Sequence, residues 1–203
     1  MLVIFIFLGA MYPAIDLGAG EKERGSLETL LSSPATKFEI TVGKLMVVSL
    51  TGLVSGLISV VGITAPMYFI DNIPDQIKST VLEIISPFMI ISVIFLMIPI
   101  AIFFASMLLS ISFYARSFKE AQSLMGPLNI IIIVPLMLTL GPGIEIDHIT
   151  ALIPLINVGL LTKEILAGSV EPIYFIETLS SLLFFAAIGI RFSVYWFNKE
   201  NTI

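Results

Sequence analysis

The chain has 203 residues, of which 57% are hydrophobic and 12% charged, with a mean hydropathy of +1.06. A soluble domain carries about 25% charge, so these few charges cannot wet a globule of this size, and a soluble enzyme or a disordered tail is excluded. The net charge of −5 leaves no basic face for nucleic acid, and the absence of cysteine removes disulfides, thiolate metal sites and cysteine nucleophiles.

What remains is an all-α, polytopic transmembrane bundle. A bilayer core of about 30 Å needs about 20 mostly apolar residues per helix, and five stretches come close: 1–15, 45–70, 87–113, 125–140 and 173–197. No ten-residue alternating segments occur, so a β-barrel is not expected. The first stretch starts at Met1 with no polar flank, no basic n-region and no small-residue cleavage site, so it does not read as a signal peptide. Fifteen residues barely cross. The expectation is that an upstream span, and an outer domain with it, is missing.

The segment Asp16–Lys44 follows. Gly18 and Gly20 loosen the exit from the first stretch. Residues 21–33 read as a short amphipathic helix, with Leu27, Leu30 and Leu31 on one face and Glu21, Lys22, Arg24 and Glu28 on the other. Pro34 stops it, and Thr36-Lys37-Phe38-Glu39 is a capping box that starts the helix leading into the second span. The short helix either eases a turn at the membrane face or docks a partner, its charges pairing across an interface and its leucines filling a groove.

In the second stretch, Ser49, Gly52, Gly56 and Ser59 share a face. Gly52 and Gly56 form a GxxxG pair suited to close helix packing, within the chain or across a dimer. Pro87 and Pro127 sit near helix starts, whereas Pro99 and Pro135 lie deeper, as hinges or static kinks. Ser117-Phe118-Lys119-Glu120 reads as a second capping box. Residues 151–166, interrupted by Pro154 and Asn157, are too short to cross and read as a re-entrant or interfacial helix. Asn157 and Glu177 are candidates for a pathway, against helix-to-helix hydrogen bonding for Asn157 and an interfacial group reaching water for Glu177. His148, the only histidine, is weak evidence for a metal, and no metal site is expected.

Charge orients the bundle. With 16–44 in the cytoplasm, eight of the ten Lys/Arg residues are cytoplasmic: Lys22, Arg24, Lys37, Lys44, Arg116, Lys119, Arg191 and Lys199. The outer loops keep Lys78 and Lys163 with Asp71, Asp75, Glu83, Glu145, Asp147, Glu164 and Glu171. The C-terminus is then cytoplasmic and the location is the cell membrane.

Three pieces of sequence carry a resemblance. They are Glu21-Lys22-Glu23-Arg24-Gly25-Ser26-Leu27-Glu28 with Leu30-Leu31-Ser32-Ser33-Pro34 and Gly43-Lys44; Ala115-Arg116-Ser117-Phe118-Lys119-Glu120-Ala121-Gln122 with Pro127; and Ile153-Pro154-Leu155-Ile156-Asn157 with Lys163-Glu164-Ile165-Leu166-Ala167-Gly168. In this order they resemble ABC-2 type transporter permeases, most of all the NatB-like permeases of sodium-extruding ABC exporters. The family has six spans per half with an outer insertion after the first, so this chain looks like spans two to six.

The resemblance implies a permease that is not itself an enzyme. A cytoplasmic ABC ATPase subunit would hold ATP and Mg, and a second permease half, identical or different, would complete the pair in membrane lipid. It implies ATPase-coupling roles for Glu21, Lys22, Glu23, Arg24, Gly25, Leu27, Glu28, Leu31, Arg116, Lys119 and Glu120. No GxxxxGK[ST] occurs, so this chain lacks that device for ATP, and no cofactor is expected on it. Sodium or another small substrate is implied by resemblance alone. A passive channel or membrane scaffold without ATP coupling, or an exporter of drugs, lipids or polysaccharide, stands as the alternative. An intramembrane hydrolase is poorly supported by one histidine outside the spans.

Overall fold

The computed structural model describes residues 1–65, 87–141 and 143–199; the last residues of the expected second span and the outer loop with Asp71, Asp75, Lys78 and Glu83 lie outside them. Among the described residues every regular element is helical. The helices are α1 (Leu2–Ile15), α2 (Glu21–Glu23), α3 (Ser26–Leu31), α4 (Lys37–Thr64), α5 (Pro87–Tyr114), α6 (Phe118–Met125), α7 (Leu128–Thr139), α8 (Ile156–Ala167) and α9 (Pro172–Lys199). Five helical stretches are long and apolar enough to cross a membrane: Leu2–Glu23, Lys37–Gly62, Ile90–Tyr114, Phe118–Thr139 and Pro172–Lys199.

Two boundaries differ from the expectation, each for a physical reason. The first helix does not end near Ile15. It widens into a π turn at Asp16–Gly20 and runs on through α2. Gly18 lets it do so, because a Cβ there would lie 2.1 Å from the Ser112 hydroxyl of α5. Second, the helix expected over 21–33 is broken. Gly25 adopts φ 71°, a left-handed conformation that ends α2 and precedes α3. The Thr36 capping box forms as read: Thr36 Oγ1 accepts the Glu39 N–H, and Glu39 accepts the Thr36 N–H at 2.7 Å.

α5 is the central helix and packs on α1, α4 and α9. Its buried face carries Phe104, Leu108, Leu109 and Phe113, each 0–2% exposed. Phe7 of α1 meets Phe104 edge-on at 5.3 Å between centroids. The GxxxG pair packs within the chain. A Cβ on Gly52 would lie 3.0 Å from the Ile6 carbonyl, and one on Gly56 2.6 Å from Ile6 and Met97 carbons. Small residues thus set the α1–α4 approach, as they do between helices in lipid.

α5 and α9 meet along a polar seam. The Ser193 hydroxyl donates to the Ser106 carbonyl at 3.0 Å, and the Ser110 hydroxyl lies 2.9 Å from both the Gly189 carbonyl and the Ser193 hydroxyl. The outward faces of α4, α7 and α9 are apolar and exposed, with Leu50, Ile58, Ile130, Ile131, Phe184 and Phe192 among them.

α8 has 12 residues, about 18 Å at 1.5 Å per residue, and is too short to cross. It buries Val158, Leu160, Leu161 and Ile165. Gly159 admits Thr139 of α7, whose Oγ1 would be 2.5 Å from a Cβ there. Of the prolines, Pro127 caps α7 and Pro99 and Pro135 lie within helices.

Helix proximity at Gly9 is the most demanding. A Cβ there would lie 2.3 Å from the Ser55 Cβ, which cannot rotate away. Gly9→Ala should force α1 and α4 apart and cost ~1–3 kcal/mol, the usual range for overpacking. Gly62→Ala, facing open space, should leave stability unchanged or raise it by up to ~1 kcal/mol. Thermal denaturation of the two variants in detergent micelles checks both.

Candidate functional site

The ends of all five long helices that carry Glu23, Lys37, Tyr114, Phe118 and Lys199 gather at one end of the bundle, here called the charged end. The run Glu21-Lys22-Glu23-Arg24 organises it, and each side chain does a different thing. Glu21 accepts from the Lys44 ammonium of α4 at 2.5 Å. Lys22 donates to the Phe113 carbonyl and, at 3.0 Å, to the Ala115 carbonyl. These belong to the last turn of α5, where carbonyls lack helical partners and the helix dipole favours a cation. The Glu23 carboxylate accepts the Phe118 N–H at 2.8 Å, and so caps the first turn of α6 with negative charge. Arg24 turns back to Asp16 at 2.7 Å; both side chains are about half exposed, and the pair is worth little by itself.

Lys44 is the most demanding group. Its side chain is 6% exposed and that of Glu21 17%. A buried charge needs a partner and further hydrogen bonds. Besides Glu21, the ammonium donates to the Leu17 carbonyl at 2.5 Å. The π turn supplies that carbonyl by interrupting the regular i→i−4 pattern. The ammonium also lies 5.6 Å from the Phe113 ring and 5.5 Å from the Phe197 ring, within cation–π range. The π turn is closed from the other side by Ser112, whose hydroxyl accepts the Ala19 N–H at 2.9 Å and donates to the Ile15 carbonyl at 3.3 Å. Lys37 reaches the Asn198 carbonyl at 3.4 Å and adds a tie from α4 to α9. Tyr114 and Trp196 meet edge-on at 4.8 Å; together with Tyr12 and Tyr195 they put aromatic rings at this end, as at a membrane–water interface.

The remaining coupling candidates divide between inside and outside. Leu27 is buried, so it packs into this chain's own core and is not offered to a partner's groove. Leu31 ends α3, and its side chain lies outside the described residues. Arg24, Gly25, Glu28, Arg116 and Lys119 are exposed. The capping box expected at Ser117 is half formed. Ser117 Oγ accepts the Glu120 N–H at 3.2 Å, but the Glu120 carboxylate takes the Arg116 N–H at 2.8 Å, one residue further out.

The pathway candidates sit at the opposite end. Asn157 is fully buried. Its amide donates to the Ala151 carbonyl at 3.0 Å and its oxygen accepts the Val158 N–H, so it holds the turn into α8. Glu177 does reach the edge of the bundle, where it meets the His148 Nδ1 at 2.8 Å beside the Tyr174 ring. The partner of His148 lies 29 residues away on α9. Among the described residues no three His, Asp or Glu side chains converge on a metal position. Asp147 is held below the usual carboxylate range by the Thr150 hydroxyl and N–H. The Glu164 carboxyl is pushed up by burial and by the like charges of Glu171 and Glu145.

This geometry can be set beside known proteins. The model of ABC-2 family transporter proteins matches residues 1–202. The chain belongs to that family. It is 31% identical over 208 residues to the ABC transporter permease protein NatB of Bacillus subtilis (strain 168), a match that takes in 100% of this chain and 52% of that permease. The chain therefore spans about half the length of this curated relative. No solved structure matches it. An ABC-2 family protein with five apolar helices fits a multi-pass membrane protein.

Two outcomes follow for the ABC-2 chain. Lys44→Met leaves Glu21 buried without its partner and should cost ~3–5 kcal/mol, read as a lowered thermal midpoint in detergent. Glu164 has a folded-state pKa above its unfolded value of about 4.3. Its contribution is therefore fully present below that value and lost as pH rises through the folded pKa. Glu164→Gln, which keeps an acceptor for the Ile146 N–H, should flatten the fall in thermal midpoint just above pH ~4.3 and raise the midpoint at neutral pH.

Proposed function

We propose that the chain is the membrane permease part of an ATP-driven exporter, powered by a separate cytoplasmic ATPase subunit and paired with a second permease half in the cell membrane. The observation that carries this is the division of charge at the charged end. Glu21 and Lys22 turn inward, to α4 and the end of α5, and the exposed Glu23 is tied to the start of α6. Glu28, five residues beyond Glu23, and Arg116 and Lys119, on either side of the Phe118 that Glu23 caps, are left exposed. An exposed, mixed-sign surface next to a tied junction is what a soluble partner needs to grip the bundle.

The family supports an ATPase partner, and the bias of Lys and Arg toward this end supports its lying on the cytoplasmic side with the C-terminus. ATP and Mg belong to the partner in this reading, and this chain performs no chemistry. Closure of the ATPase pair on ATP would displace α3, and the spans would exchange between inward and outward states. Net export requires ATP and substrate to bind those states with different affinity. Sodium is the first substrate to test.

Charge reversal on the exposed set, Glu28→Lys with Lys119→Glu, should reduce ATPase co-purification at least tenfold while leaving the thermal midpoint unchanged. Everted vesicles that contain the wild-type complex should take up sodium on addition of ATP and lose that uptake with vanadate. Vanadate-insensitive flux through the permease alone would favour a passive channel.

A further inference from the structure

The charged end presents Glu28, Arg116 and Lys119 to a partner in the reading above. Its interior shows a second property. The Lys44 ammonium stands on α4 and touches three other helical stretches at once. It donates to Leu17 in the π turn that follows α1, it pairs with Glu21 of α2, and it lies over both Phe113 at the end of α5 and Phe197 at the end of α9. The two rings themselves meet at 4.9 Å. Glu21 is five residues before Ser26, the start of α3, and the intervening Gly25 is the left-handed hinge of the turn. A displacement of α3 therefore reaches Glu21 through a turn of one short segment, and Lys44 next.

We propose that Lys44 is a positioning residue for coupling: it makes the ends of α2, α4, α5 and α9 move as one body, so that a push on α3 reaches four of the five spans together. This rests on the reading that an ATPase subunit meets the charged end. The reason is chemical. A buried ammonium tolerates no geometry that strips it of its partners, so the helices that carry those partners can shift only together or at large cost. An apolar residue in its place would remove a group that meets all four at once and leave only the pairwise ties of Lys22, Ser112 and Lys37. Where Lys44 meets them, α5 and α9 touch through the tilted Phe113 and Phe197 rings, one turn beyond the serine seam.

A purely structural pair makes the opposite forecast. Replacing both members of a buried ion pair by apolar side chains of similar volume is often neutral for stability, because no unpaired charge is left behind. Glu21→Met with Lys44→Met should thus regain most of the stability that Lys44→Met alone loses. If the pair only stabilises, function returns with stability. If Lys44 couples, it does not.

The chain has no cysteine, so spin labels can be placed directly at Ser32, just past α3, and Asn198, near the end of α9, both exposed. The permease is co-expressed with its ATPase subunit, reconstituted, and measured with and without ATP plus vanadate. The wild type should show one narrow Ser32–Asn198 distance in both states. The double methionine variant should lose it on trapping, with a shifted or broadened distance, while ATP hydrolysis and co-purification persist. Lys44→Arg, which keeps a cation beside the two rings, should retain the narrow distance. A double variant that keeps one narrow distance in both states overturns the inference and leaves the functional reading intact. An Arg variant that broadens as the methionine variant does also overturns it. A wild-type chain that binds no ATPase subunit overturns the functional reading, and the inference with it.

Discussion

The charged end of this bundle is governed by one buried ammonium. Lys44 lies on a helix otherwise apolar enough to cross a membrane, at 6% exposure. A lysine there must be given acceptors and a polarisable lining, or it will not stay. The acceptors come from the first helix, which opens into a π turn to present the Leu17 carbonyl and then continues to present Glu21. The lining comes from Phe113 and Phe197. Gly18 then makes room for Ser112, which repairs the hydrogen bonding on the far side of the same turn. Four helix ends thus meet around one charge.

The rest of the charged run follows from the accounting of helix termini. Each helix end leaves orphan donors or acceptors, and in a bilayer water reaches them poorly. Lys22 answers the carbonyls at the end of α5; Glu23 answers the amide at the start of α6; Glu39 and Thr36 answer each other at the start of α4. In every case the sign of the charge matches the end of the dipole it faces. Lys22 and Glu23 are thus caps for α5 and α6, while Glu21 and Arg24 pair with the side chains of Lys44 and Asp16.

Local patterns were legible in the sequence and long-range ones were not. The capping box at Thr36 spans four residues and formed as read. Gly52 and Gly56 announced a close helix contact by spacing alone, and α1 supplies it. The break at Gly25 was visible as a glycine, but the apolar period of Leu27, Leu30 and Leu31 suggested a continuous helix. Periodicity reports which side chains share a face and does not report backbone sign at one residue. The same period placed Leu27 on an interface, whereas the fold turns it inward. The caps on α5 and α6 join residues more than 90 positions apart, and the His148–Glu177 pair joins residues 29 apart; no local window holds both partners. The serine seam had a local trace, since Ser106 and Ser110, and Gly189 and Ser193, are each four apart on a helix face.

The two ends of the bundle differ in how their charges are paired. At the charged end, opposite charges meet: Glu21 with Lys44, Arg24 with Asp16, and helix dipoles with the ions that suit them. At the other end the balance is mixed: Glu145 and Glu171 oppose the ionisation of Glu164, Lys163 favours it, and His148 pairs with Glu177. Attraction resists separation of the parts it joins, so the charged end is the one whose geometry is expensive to change. On the exporter reading that has a use: the tied end can receive a displacement without dissipating it among separate helices.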